Sequence, residues 1–280
     1  LENLQVTSSF KYRGALNKIL SLGEEDRQRG LVTASSGNHG SAMAYLLRKF
    51  GLDGTIYVPE TISPAKLETL RTYQADVVLL GSDGIEAERA AREIAEREGR
   101  LYISPYNDLQ IIGGQGTIGL ELERQLEGVD AVFCPVGGGG LVAGIAGYLK
   151  SSDAQIRFIG CQPRNSCVMY ASVRAGGIVD QPSSPTLADG TAGGIEAAAI
   201  TYSICRDLVD EFVLVEEAEI GAAIRTILTH HHLLIEGAAA LSVAALLRQV
   251  EPPRGARVVL ILSGARIGLE TLRTVLEGAA

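Results

Sequence analysis

The chain has 280 residues, with 25 Lys and Arg against 33 Asp and Glu, for a formal net charge of −8. That acidic balance, with no basic tract, argues against binding a nucleic-acid backbone, and no apolar run reaches the ~18 residues that a membrane span requires. Hydrophobic residues at 46% and charged residues at 21% describe a globular chain of one large or two smaller domains, not a disordered one.

Short β-branched runs alternate with longer amphipathic ones. The pattern predicts strands at 31–34, 55–58, 77–80, 131–136, 157–161, 212–215 and 257–262. Between them it predicts helices at 41–50, 65–73, 85–97, 116–125, 141–150, 219–230 and 237–247. This alternation implies a parallel sheet covered by helices on both faces. The charged stretch 86–100 reads as a solvated helix face, and the Gly/Pro/Ser-rich stretch 176–194 as a long irregular connection, functional or mobile. His230, His231 and His232 are consecutive on a predicted helix, point in different directions and form no ligand set.

Cys134, Cys161, Cys167 and Cys205 show neither a Cys-x-x-Cys pair nor zinc-site spacing, and no signal peptide precedes them. Buried free thiols in a reducing cytoplasm are therefore expected. The numbering opens at Leu1 without an initiator Met, as in a fragment or a chain missing its start.

Three segments at predicted strand ends carry candidate chemistry. The run 132–136 leads into Gly137, Gly138, Gly139 and Gly140, with a helix opening near Leu141. Four glycines let several backbone N–H groups face one point, and the helix adds its positive end, so an anionic phosphate is the natural guest. No Gly-Lys-Ser/Thr follows, which excludes a Walker A loop, and the acidic residue of a dinucleotide fingerprint is also missing. The second segment is Ser35-Ser36-Gly37-Asn38-His39-Gly40. Small residues before a helix suit a carboxylate, or simply cap that helix. The third is Ser8-Ser9-Phe10-Lys11-Tyr12-Arg13-Gly14-Ala15. A Lys in such a polar turn is a surface charge, unless partial desolvation lowers its pKa and lets it form a Schiff base.

In this order, and with Ser263-Gly264 after a late apolar strand, the segments resemble the threonine/serine dehydratases and serine racemases. These are fold-type II pyridoxal-phosphate enzymes of the tryptophan synthase β-like superfamily. Gln115-Gly116-Thr117 and Thr186-Leu187-Ala188-Asp189-Gly190 also look like family segments, and the resemblance covers essentially the whole chain. It implies an α/β fold with two open, mostly parallel sheets flanked by helices and the cofactor between the domains. The large domain is expected at 1–29 and 108–280, and a small inserted domain at 30–107.

By the same resemblance, Lys11 carries pyridoxal 5'-phosphate as a Schiff base and Phe10 packs on a cofactor face. Asn38 bonds the ring hydroxyl, Gly137, Gly138, Gly139, Gly140 and the Leu141 amide cradle the phosphate, and Ser263 faces the pyridine nitrogen. Ser35, Ser36, Gly37, Asn38 and His39 grip the substrate carboxylate, with Ser36 also able to protonate Cα as in the racemases. Glu236 either lines the ring edge or serves as an acidic residue at a helix N-terminus. The implied activity is β-elimination of L-threonine, L-serine or a related β-hydroxy amino acid to a 2-oxo acid and ammonia. The implied partners are the small amino-acid substrate and further copies of the chain, as a homodimer or tetramer in the cytoplasm, with no nucleic acid or membrane.

Two departures matter. Gln162 and Val168 stand where the racemases place carboxylates for a divalent cation, so no metal is expected. Gly264 is followed by Ala265-Arg266, where the family usually continues Gly-Asn. The chain ends soon after the Ser263 strand, so no amino-acid-sensing domain is expected. The alternatives within the fold are a serine racemase and a cysteine-synthase-like β-replacement enzyme, the latter disfavoured by Tyr12 and His39. A nicotinamide dehydrogenase would leave Lys11 and Ser263 unexplained, and a non-catalytic phosphate-binding module would leave Lys11 without a role.

Overall fold

The computed structural model describes residues 1–248 and 255–278. Packing divides the chain into two compact units: Lys11–Gly114, and Leu1–Phe10 together with the chain from Gln115 onward. Each carries its own sheet.

The Lys11–Gly114 unit contains α1 (Lys11–Ser21), α2 (Glu24–Gln28), β1 (Leu31–Ala34), α3 (Asn38–Phe50), β2 (Gly54–Val58) and α4 (Pro64–Thr72). It continues with β3 (Asp76–Leu79), α5 (Gly84–Glu98), β4 (Leu101–Tyr102) and the first turns of α6 (Leu109–Gln125). Its strands are all parallel, in the order β3-β2-β1-β4. Leu31, Ile56 and Val58 face Ile19 of α1 and Met43 and Leu46 of α3, while Val32 and Tyr57 face Ala91 and Ala95 of α5. Cover on both faces explains why every residue of β1 is apolar or small. In α5 the Asp83 carboxylate accepts the N–H groups of Ile85 and Glu86 at 2.9 and 2.8 Å. Ala87, Ala91 and Ala95, four apart, form its buried stripe, leaving the charged face expected from the sequence.

The other unit contains β5 (Ala131–Pro135), α7 (Gly140–Ser152), β6 (Arg157–Pro163), α8 (Val168–Ala175) and α9 (Ile200–Leu208). Next come β7 (Glu211–Val215), α10 (Glu217–His231), α11 (Gly237–Arg248), β8 (Val258–Leu260) and α12 (Leu269–Leu276). Its sheet is again parallel, in the order β7-β6-β5-β8. Phe133, Ile159 and Val213 pack against α10 and α11, and Val132, Cys134 and Phe158 against α7 and α8. Each fully buried apolar side chain of this kind contributes about 1.5–3 kcal/mol.

Two parallel sheets flanked by helices are the α/β architecture expected from the sequence, and all the expected strands form. Helices α1, α2, α8, α9 and α12 and the short strand β4 form where none was expected, and α6 starts early. Lys11 opens α1 instead of standing in a turn. Helix α6 starts at Leu109 rather than near Gly116, because the Asp108 carboxylate accepts the N–H groups of Gln110 and Ile111 at 2.7 and 3.1 Å. The glycines that hide this start are a packing contact, since a Cβ on Gly114 would stand 2.6 Å from the Cα of Gly14 in α1.

The stretch 177–194 is irregular apart from a single turn at Asp189–Thr191. All four cysteines are buried and free, and burial holds the Cys134 and Cys161 thiols well above their usual range and that of Cys205 at about 12. No helix of the described residues is long and apolar enough to cross a membrane.

Candidate active site

In both sheets the strand order reverses beside the strand that feeds a candidate segment. The chain runs β1, β2, β3 outward and then places β4 on the other side of β1; likewise β5, β6, β7 are followed by β8 on the other side of β5. Open α/β sheets leave a crevice at the carboxyl ends of strands at such reversals. Residues 35–40 leave β1, residues 137–140 leave β5, and Ser263 lies just beyond β8. Topology therefore gathers chemistry-bearing residues at each unit's switch point.

The tetraglycine loop is shaped for backbone donation. Gly139 is the N-cap of α7 at φ +86, and no side chain caps that helix. Its first-turn N–H groups, on Gly140 and Leu141 among others, have no partner within the helix and offer an anion both donors and the positive end of the dipole. A Cβ on Gly139 would stand 2.8 Å from Cys205 Sγ, 2.9 Å from Met169 Cε and 3.0 Å from Thr201 Cβ. The Thr201 hydroxyl donates to the Gly138 carbonyl at 2.6 Å, fixing which way that peptide faces.

Residues 35–40 form a second cradle. Helix α3 also opens on a glycine, Gly37, with no side-chain cap. The Gly37 N–H donates to Ser35 Oγ at 3.3 Å, and the Ser41 hydroxyl returns to the Gly37 carbonyl at 3.1 Å. The Ser35 carbonyl lies where a Cβ on Gly40 would be, only 2.0 Å from it, so the motif's last glycine is obligatory. Ser35, Ser36, Gly37 and Asn38 are half-buried, while His39 is 2% exposed.

In the same unit the Lys11 ammonium donates to the carbonyl of Pro105 at 2.8 Å. Pro105 follows β4, the strand beyond the reversal, and sequence reasoning missed it.

Burial, and then the nearby Lys11 charge, push the His39 imidazole down to about 3, opposed by the Ile103 carbonyl. Neither ring nitrogen has a hydrogen bond of normal geometry, and the Ile103 carbonyl accepts the Thr33 hydroxyl at 2.8 Å. His39 is therefore neutral in the folded protein. With the folded pKa below the unfolded one, the unfolded chain binds the extra proton. Stability is full above pH ~6.5 and falls as pH drops from there toward 3. Chemical unfolding at pH 7 and pH 5 should show a loss of about 2 kcal/mol from this group. His39→Leu should remove that part of the pH dependence; an unchanged slope would show that His39 is not the group responsible.

In the unit that holds the tetraglycine loop, the Phe10 N–H donates to the Ser263 carbonyl at 3.0 Å, and Ser9 pairs with Gly264 as an antiparallel bridge. Ser263 is 2% exposed. Phe10 packs on the cluster that includes Val136, Leu141 and Ile261. Thus Phe10, residues 137–141 and Ser263 belong to one unit, and Lys11 with residues 35–39 to the other.

Parallel α/β sheets with uncapped, glycine-led helices at their switch points suit proteins that hold phosphorylated ligands on backbone N–H groups. Residues 1–264 match the family described as pyridoxal-phosphate dependent enzyme, and the chain belongs to that family. It is 41% identical over 277 residues to the L-threonine ammonia-lyase of Geobacter sulfurreducens, which covers 99% of this chain and 68% of that one. Among solved structures it is similar to the processed form of threonine deaminase isoform 2 from Solanum lycopersicum, with a TM-score of 0.91 and 35% identity over 100% of this chain and 82% of that one. It is also similar to a serine racemase from Dictyostelium discoideum, with a TM-score of 0.85 and 35% identity over 96% of this chain and 86% of that one.

The chain is thus an enzyme, and its cofactor is pyridoxal phosphate. Each unit carries groups of the kind that cofactor requires: an uncapped glycine cradle and a buried hydroxyl in one, and a partly buried primary amine in the other.

Proposed function

We propose that this enzyme converts L-threonine to 2-oxobutanoate and ammonia, and acts on L-serine as a second substrate. The observation that carries this reading is the 41% identity, across 99% of the chain, to a relative named for that reaction. Pyridoxal phosphate supplies the electron sink that makes the substrate Cα–H acidic.

The chain's own residues do the rest. The Lys11 amine would hold the cofactor and, when free of it, would be the base that takes the Cα proton. Backbone N–H groups of residues 35–39 bind the substrate carboxylate and so set the Cα–H bond for removal. Asn38 would bond the ring hydroxyl, the N–H groups of residues 137–141 would hold the phosphate, and Phe10 would pack on a ring face. Ser263 would offer the ring nitrogen a neutral hydroxyl. Without a full charge there, early loss of the β-hydroxyl is favoured over transfer of the amino group. By the resemblance to the racemases, Ser36 would return a proton to the opposite face of Cα, which permits minor racemisation.

The test is the yield of 2-oxobutanoate and ammonia from L-threonine, and of pyruvate and ammonia from L-serine. Racemised serine exceeding the 2-oxo acid would overturn the assignment. The same assay addresses metals. Gln162 is fully buried and its Oε1 accepts the Tyr170 N–H at 2.8 Å, while Val168 is apolar and buried. Neither serves a hard cation, which requires oxygen ligands, preferably anionic. EDTA should therefore leave the yield within about 10–20% of the untreated enzyme, well under the several-fold loss that follows removal of a functional ion. A large loss restored by Mg²⁺ would place a cation site elsewhere in the chain.

A further inference from the structure

The turn that follows β8 is held from two sides. From the chain's start, the Phe10 N–H donates to the Ser263 carbonyl at 3.0 Å, and the Ala265 N–H donates to the Ser8 carbonyl at 2.9 Å. From the other side comes Glu236, 4% exposed, the residue just before α11. Its N–H donates to the Gly264 carbonyl at 3.0 Å, and its Oε2 accepts the Arg266 N–H at 3.0 Å. Its own carbonyl accepts the Ala240 N–H at 3.1 Å, which ties the same residue to the first turn of α11.

The side chain is pressed against the turn it holds. A Cβ on Gly264 would stand 2.5 Å from Glu236 Oε1 and 2.8 Å from its Cδ. Burying a carboxylate is costly unless hydrogen bonds compensate; here its Oε2 accepts the Arg266 N–H, while the backbone N–H of Glu236 separately holds the Gly264 carbonyl. Glu236 and Arg266 also line a cavity of about 390 Å³ with Asp189 and Glu217. Loss of the carboxylate would leave the Arg266 N–H without this acceptor and the turn held on that side by the backbone bond to Gly264 alone.

We propose that Glu236 is a positioning residue that sets Ser263 toward the cofactor ring nitrogen by clamping the backbone of Gly264 and Arg266; this rests on the reading of Ser263 given above. An alternative role, in which the Glu236 charge itself serves the ring, makes a different prediction for the neutral isostere. The decisive set is Glu236→Ala, Glu236→Gln and Ser263→Ala. Two readouts suffice: amide hydrogen exchange in the cofactor-free protein, and the dissociation constant of pyridoxal phosphate.

Glu236→Ala should speed exchange at the Arg266 amide, and weaken cofactor binding, by about tenfold or more, as expected for loss of a charge-assisted hydrogen bond. In Glu236→Gln the amide oxygen still accepts the Arg266 N–H, so both values should stay within about threefold of the parent. Unchanged exchange in Glu236→Ala, or Glu236→Gln as damaging as Glu236→Ala, overturns the clamp. If Glu236→Ala does not fold, Gly264→Ala presses the same contact from the other side and should weaken cofactor binding comparably. Gly264→Ala binding as tightly as the parent also overturns the proposal. Ser263→Ala separates the two readings: if it leaves cofactor binding and the visible spectrum unchanged while Glu236→Ala still speeds exchange, the clamp stands and the role of Ser263 falls.

Discussion

Lys11→Ala is expected to remove the visible absorbance of the lysine-bound cofactor and to lower deamination of L-threonine by at least about 10³-fold. One amine is assigned two tasks, covalent attachment of the cofactor and removal of the Cα proton, so its loss forfeits both at once. The side chain is half-buried and donates to the Pro105 carbonyl at 2.8 Å. Truncating it leaves that carbonyl without this donor but buries no new charge, so thermal unfolding of the cofactor-free protein should shift by only a few degrees, in line with about 1 kcal/mol. Activity should therefore collapse in a protein that still folds. Turnover near that of the parent, with the cofactor bound, would remove Lys11 from both roles.

The sequence carried most of the fold because its strands are short, β-branched and bounded by turn residues. Leu31–Ala34 forms as expected to the residue, since a strand covered on both faces reads as a run of apolar and small residues rather than an alternation. Helices whose signals are diluted were harder to see. In α1 only Gly14, Ala15 and Ile19 are buried, among Lys, Arg and Asn, so its 3.6-residue period is faint and Lys11 reads as part of a turn. In α6 the glycines at 113, 114 and 116 look like breakers, although Gly114 serves the close approach of α1.

The candidate site divides in the same way. Its glycine loops and Lys11 were legible because few structural needs explain such residues in a row. Pro105, Thr201 and the hold of Glu236 on its neighbours were not, because each acts through a partner elsewhere in the chain: Lys11, the Gly138 carbonyl and the Arg266 amide. No local spacing encodes such pairs. His39 was visible as part of a motif, but its neutrality follows from burial beside Lys11, which only the folded chain supplies.

Gly138→Asp should weaken pyridoxal phosphate binding by roughly hundredfold or more, since it sets a carboxylate against a phosphate within the same cradle. Bulk and charge can be separated, because Asn has nearly the shape of Asp and no charge. Gly138→Asn should therefore bind the cofactor more weakly than the parent but clearly more tightly than Gly138→Asp. Raising the salt concentration should narrow the gap between the two variants, because screening acts on the repulsion and not on the bulk. Gly139→Ala offers an independent check on the loop's shape. It forces a side chain to φ +86, at about 1–2 kcal/mol, and drives its Cβ to within 3.0 Å of Cys205 Sγ, Met169 Cε and Thr201 Cβ. Thermal unfolding of the cofactor-free Gly139→Ala protein should fall accordingly, whereas the damage in Gly138→Asp should appear mainly in the dissociation constant. If Gly138→Asp binds pyridoxal phosphate as tightly as the parent, the phosphate does not lie on the tetraglycine loop, and the uncapped start of α3 becomes the place to look for it.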